Sequence, residues 1–165
     1  MAQAEDAYKG ALAHSANADT SMAYARLAQV SDSQHNYSQT IANAKTSIAQ
    51  NPDLLPAYIL EGTAYENIGQ FDQAKRAYQD ALARNPNFAP ALNNLAWLEC
   101  EHGGNLDEAL SLAEHAKQIQ PDDPNISDTL GWIDYRKGLY APALPLASDA
   151  ATRAPSDGQF QYPWE

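Results

Sequence analysis

The chain has 165 residues, enough for one compact domain or one short solenoid, and 44% of them are apolar, which excludes a largely disordered polypeptide. Acidic residues number 21 against 10 basic ones, and the formal net charge of −11 argues against partners with phosphate backbones or anionic lipid surfaces. A single cysteine, Cys100, excludes a disulfide within the chain, and no stretch approaches the roughly 18 consecutive apolar residues that span a bilayer.

The opening residues Met1-Ala2-Gln3-Ala4-Glu5-Asp6 have neither the basic start nor the apolar run of a signal peptide. The compartment stays open between cytoplasm and periplasm. Residues 2–15 carry Ala4, Tyr8, Ala11 and Leu12 at helical spacing. They are expected to form an extra helix within residues 1–18, the second helix of a preceding unit whose first helix this sequence lacks.

From there a repeat governs the chain. Pro52, Pro86, Pro121 and Pro155 close helical stretches at intervals of 34, 35 and 34 residues. A period of that length marks a supersecondary unit stacked on copies of itself. The units run over residues 21–54, 55–88, 89–123 and 124–157, followed by an aromatic tail at 158–165. The second unit has the fullest pattern: Tyr58, Gly62, Tyr65, Gly69, Phe71, Ala74, Tyr78, Ala81 and Pro86. The third matches it with Leu92, Leu95, Ala96, Leu106, Ala109, Ala113, Ala116 and Pro121, and the fourth with Leu130, Gly131, Tyr140, Ala143, Ala147, Ala150 and Pro155. The first is looser, with Tyr24, Leu27, Ala28, Tyr37, Thr40, Ala44, Ser47 and Pro52.

This pattern resembles the tetratricopeptide repeat of bacterial proteins. The resemblance implies an all-α, right-handed superhelical solenoid of antiparallel helix hairpins, with about four repeats plus the extra N-terminal helix. The residues themselves point the same way. Gly62, Ala96 and Gly131 fall mid-helix, where Gly costs about 1 kcal/mol relative to Ala, a cost that makes sense where two helices approach closely. Ala74, Ala109 and Ala143 serve the second helix of each hairpin. Turns are expected at Asn67-Ile68-Gly69-Gln70 and Arg136-Lys137-Gly138-Leu139, with Gly as the left-handed cap. Gly103-Gly104-Asn105 makes the third turn one residue longer. Pro56 and Pro90 suit the first turn of a helix, and Pro142 and Pro145 are read as setting the start of the last one.

Catalytic chemistry has little footing. No nucleophile elbow, phosphate-binding glycine loop or paired metal-ligand motif occurs, and Cys100 and His102, two apart on a helix, point to different sides. No catalytic residue, metal or cofactor is expected. The resemblance instead implies a non-catalytic scaffold whose concave groove, lined by the first helix of each hairpin, holds a protein or peptide segment. Register places Gln29, Ile59, Thr63, Glu66, Asn93, Trp97, Glu101, Asp128, Trp132, Tyr135 and Arg136 on that face. Trp97 and Trp132 are equivalent in consecutive units, and aromatic and Arg side chains dominate binding hot spots. The groove would favour apolar anchors, with a basic residue meeting Glu66, Glu101 or Asp128. The inward places lack Lys, which argues against the carboxylate clamp that some family members apply to chaperone C-termini. The alternative is a self-assembly module that stacks through its ends, with Phe160, Tyr162 and Trp164 lodged in a neighbouring copy.

Overall fold

The computed structural model describes residues 20–153 and, ahead of them, Tyr8 and Gly10, both helical. The rest of the expected N-terminal helix over residues 2–15, and the tail at 158–165, lie outside the described residues. Eight helices are described: α1 (Ser21–Ser33), α2 (Tyr37–Gln50), α3 (Leu55–Asn67), α4 (Phe71–Arg84), α5 (Ala89–Glu101), α6 (Leu106–Ile119), α7 (Pro124–Arg136) and α8 (Tyr140–Arg153). They form four antiparallel hairpins distributed over two compact units, Met1–Pro86 and Asn87–Glu165. Within each unit the first helix of a hairpin packs on its partner. The second helix then packs on the hairpin that follows, and the two first helices touch each other.

Each helix starts and stops for a local reason. Pro56, Pro90 and Pro124 occupy first-turn positions of α3, α5 and α7, where a missing N–H is harmless. Asn36, Asn105 and Asp123 cap α2, α6 and α7, their side chains accepting the backbone N–H of Gln39, Asp107 and Asn125. Gly69, Gly103 and Gly138 hold the left-handed conformation that ends the first helix of their hairpins. The third turn does contain one more residue than the second and fourth. In the first hairpin the left-handed position is His35, with φ of 58°, its Nδ1 3.0 Å from the Tyr37 hydroxyl. The looseness of the first repeat includes this residue, which sequence reading passed over. One expectation is corrected: Pro142 lies in the first turn of α8 but Pro145 sits inside the helix. Its missing N–H falls on the side of α8 that remains exposed.

The core is a seam of small residues. Ala28, Ala44, Ala74, Ala81, Ala96, Ala109, Ala113, Ala116 and Ala150 are fully shielded. The second hairpin trades sizes across this seam. Tyr78 stands fully buried where the other hairpins have Ala44, Ala113 and Ala147, and Gly62 faces it. A Cβ on Gly62 would lie 2.3 Å from Tyr78 Cε1. In the fourth hairpin a Cβ on Gly131 would meet Leu146 Cβ at 3.2 Å and the Ala143 carbonyl at 3.3 Å. Polar staples supplement the seam in the second unit. Buried Ser127 accepts from the Lys117 ammonium and lies 3.1 Å from Asp149 Oδ2, while Arg153 Nε reaches Asp149 at 2.6 Å.

Two substitutions test this arrangement. Gly62→Ala should destabilise the protein by about 1–3 kcal/mol despite its better helix propensity, because the Tyr78 ring has no room to yield. His35→Gly should stabilise it by about 0.5–1 kcal/mol by relieving a left-handed backbone at a non-glycine residue. Urea unfolding followed by circular dichroism reads both.

Candidate functional site

The first helices carry the candidate site, and each unit presents its own share. In the first unit α1 and α3 lie side by side. Gln29 is exposed on α1 and accepts Arg26 Nη1 at 3.0 Å. Ile59 and Thr63 are half-buried on α3, and the Thr63 hydroxyl donates back to the Ile59 carbonyl at 3.0 Å. Glu66 is half-buried and takes the Tyr78 hydroxyl from α4. Ala25, one turn before Gln29, belongs to the buried core.

In the second unit α5 and α7 lie side by side. Asn93, Trp97 and Glu101 recur every four residues along α5, and all three are half-buried. Asp128, Trp132 and Tyr135 are half-buried on α7, and Arg136 is exposed at its end. Glu101 joins the two helices. Its Oε1 accepts Trp132 Nε1 at 2.6 Å and Arg136 Nη1 at 2.7 Å. The Arg136 guanidinium also stands 6.0 Å from the centre of the Trp132 ring. Trp132 stacks on Tyr135 with ring centres 5.5 Å apart, and Tyr135 meets Tyr140 edge-on at 5.6 Å. Trp132 also packs on the buried cluster of Ala96, Cys100, Ala109, Ala113, Leu130 and Ile133.

This geometry fixes the aromatic row before any partner arrives. A ring held by a hydrogen bond and by stacking loses little further freedom on binding, so less of its contact energy is offset by ordering. The same bonds occupy the carboxylates. Glu101 already holds an Arg and an indole, and Glu66 a phenol, so neither presents the free charge that sequence register gave it. Tyr140 is the aromatic that register missed. It opens α8, across a turn from Tyr135, and helical periodicity does not carry through a turn.

Burial shapes the titrating groups here. It raises the Glu66 carboxyl, with the Tyr78 hydrogen bond pulling the other way. It pushes the Cys100 thiol up to about 11, with Arg136 opposing and Glu101 adding to the rise, which makes this thiol a poor nucleophile. Among the described residues, no group of three or more His, Cys, Asp or Glu is arranged to hold a metal ion, and no helix is long and apolar enough to cross a membrane.

An all-α set of hairpins with capped turns, an alanine and glycine seam and paired first helices is a helical repeat protein. Comparison with known proteins makes this specific. The family model for the tetratricopeptide repeat matches residues 59–124. A TPR repeat-containing protein of Pseudomonas aeruginosa is 32% identical over 108 residues, 66% of this chain and 18% of the relative, so the chain spans under a fifth of that protein's length. A thermophilic TPR protein of Thermus thermophilus superposes with a TM-score of 0.76 at 23% identity, covering 94% of this chain and 84% of that one. MamA gives 0.72 at 22% identity over 94% and 89%. PilF of Pseudomonas aeruginosa gives 0.75 at 18% identity over 85% and 64%. The chain belongs to the tetratricopeptide repeat family.

The Glu66 environment has a pH consequence. A carboxyl whose value is higher folded than unfolded binds its proton more tightly in the native state, so stability is lost as pH rises through the folded value. Glu66→Gln keeps an oxygen for the Tyr78 hydroxyl and removes the buried charge. The variant should be more stable than the parent at pH 7, and the difference should shrink as pH is lowered into the acid range where the parent carboxyl binds its proton. Thermal melts across that range read the difference.

Proposed function

We propose that this protein is a non-catalytic scaffold that holds an extended or helical protein segment on the first-helix face, with its recognition centred on α5 and α7. The observation that carries this reading is the aromatic row Trp132–Tyr135 with Arg136, fixed in place through Glu101 and continued along α5 by Trp97. The remaining side chains of that face, Asn93 and Asp128, supply hydrogen-bonding groups that set register, and Gln29, Ile59 and Thr63 give the first unit a milder apolar surface. The segment that fits carries apolar anchors for the rings. A strongly acidic segment does not fit, because the chain's net charge of −11 would oppose it.

The tetratricopeptide fold supports protein binding in general, and the choice of face and partner chemistry is our own reading. Sequence register gave Trp97 and Trp132 equal standing, and their surroundings separate them. Trp132 packs on the core cluster, so its loss costs stability as well as binding. Trp97 is the cleaner probe. A second reading, end-to-end assembly, draws on the exposed apolar residues at the start of α8.

A displayed library of extended peptides, selected on the protein, provides the test. Selected peptides should share apolar anchors, and Trp97→Ala should weaken them by about 2 kcal/mol, roughly thirtyfold, at unchanged helical content. Peptides without shared anchors, or with affinity indifferent to Trp97→Ala, would contradict the reading.

A further inference from the structure

The last hairpin leaves an apolar edge open where the aromatic row ends. Tyr140 is 62% exposed and Leu144 61%, with Leu139 beside them at 43%. Tyr135, Tyr140, Ala143 and Leu144 line a pocket of about 210 Å³ there. Tyr135 belongs both to this pocket and to the α5–α7 face, since it stacks on Trp132 and meets Tyr140 edge-on. The pocket is where the face continues onto the start of α8.

The third hairpin shows what kind of side chain such a surface accepts. Leu106, Ala109, Leu110 and Ala113 of α6 pack in one cluster with Leu130 and Ile133 of α7. Tyr140, Ala143, Leu144 and Ala147 stand at the equivalent places of α8, 34 residues on, so this surface also suits aliphatic side chains. Residues 138–148 contain no Asp, Glu, Lys or Arg, and the nearest cations in sequence, Arg136 and Lys137, are held by Glu101 and Asp107. A charged group entering the pocket would lose its water and meet no counter-ion, whereas an aliphatic one gains by leaving water. The volume lies below the roughly 300–1,000 Å³ of small-molecule sites and fits one large side chain of a longer ligand. A second copy of the chain is a poor occupant. Stable dimers bury about 800 Å² on each partner, and this patch is the edge of one helix. Each copy would also bring a net charge of −11.

We propose that the pocket takes the end of the same partner segment that the α5–α7 face holds, seating one large aliphatic side chain, Leu, Ile or Met, against Tyr135, Tyr140, Ala143 and Leu144. The inference rests on the α5–α7 reading and adds a terminal anchor to it. The partner residues that flank this anchor are neutral or basic, because the chain's net charge opposes acidic ones. Tyr140 and Leu144 thereby become specificity residues, although they lie outside the first helices.

Peptides selected by display on the full chain test this, because two single variants separate the two readings. The selected peptides should carry an aliphatic residue at one end, besides the anchor that responds to Trp97→Ala. Leu144→Asn, which leaves the net charge unchanged, should weaken them about tenfold, and Leu144→Met should bind like the parent. Helical content should stay unchanged in both, since Leu144 already stands in solvent. Replacing the peptide's terminal aliphatic residue by Ala should weaken the parent complex by a similar factor and leave the Leu144→Asn complex unaffected, the coupling expected of a direct contact. Peptides that need Trp97 and ignore Leu144→Asn would overturn the pocket and leave the α5–α7 face standing. Peptides that ignore Trp97→Ala as well would overturn both. A sedimenting dimer that Leu144→Asn dissolves would assign the edge to a second copy and overturn the pocket equally.

Discussion

The close approach of paired helices along a seam of alanine and glycine is the constraint on which the rest depends. With side chains this small, the first and second helices of each hairpin leave almost no volume between them. The large residues are therefore displaced to the edges of the helices, toward the next hairpin or toward solvent. Tyr78 is the exception that shows the rule, since it enters the seam only opposite Gly62. The seam uses one side of each first helix, and Trp97 after Ala96 and Trp132 after Gly131 stand half-buried at its edge, Trp132 packed on the seam's own cluster.

The seam and the turns were legible from sequence because both rest on residue types with few substitutes. Gly69 and Gly138 were readable as left-handed caps, and the extra residue in the third turn was visible as a lengthened interval between prolines. His35 was not, since histidine carries no conformational signal and only its place in the repeat betrays it. Pro145 was misplaced for a related reason. Proline near a helix start is common, but its exact turn depends on where the preceding turn ends. Face assignments were legible at the level of register and no further. Register names the side of α3 on which Glu66 stands, yet it cannot show that the Tyr78 hydroxyl crosses from α4 to reach it. The same holds for Glu101, whose two donors come from residues 31 and 35 positions later.

Those cross-helix contacts change what the face can do. Read as free groups, the glutamates suggest a groove that selects for basic partners. Tied to Trp132, Arg136 and Tyr78, they hold the rings and the helices in place, and the proposed recognition therefore rests on apolar area. The face on α5 and α7 is thus more preorganised than its composition suggests. The α1–α3 face offers fewer aromatics, which is why the proposed recognition is centred on the second unit. Cys100 lies beneath this face as a shielded thiol, a packing residue next to the Glu101–Arg136 contact.

The central claim is that partners engage the first helices of the second unit. Backbone amide NMR of the full chain, titrated with a peptide recovered by display on this protein, measures that directly. The account predicts saturable shifts concentrated in α5 and α7, with Trp97 and Trp132 indole N–H signals among the largest. Shifts concentrated in α6 and α8, with α5 and α7 unmoved at saturation, would contradict it.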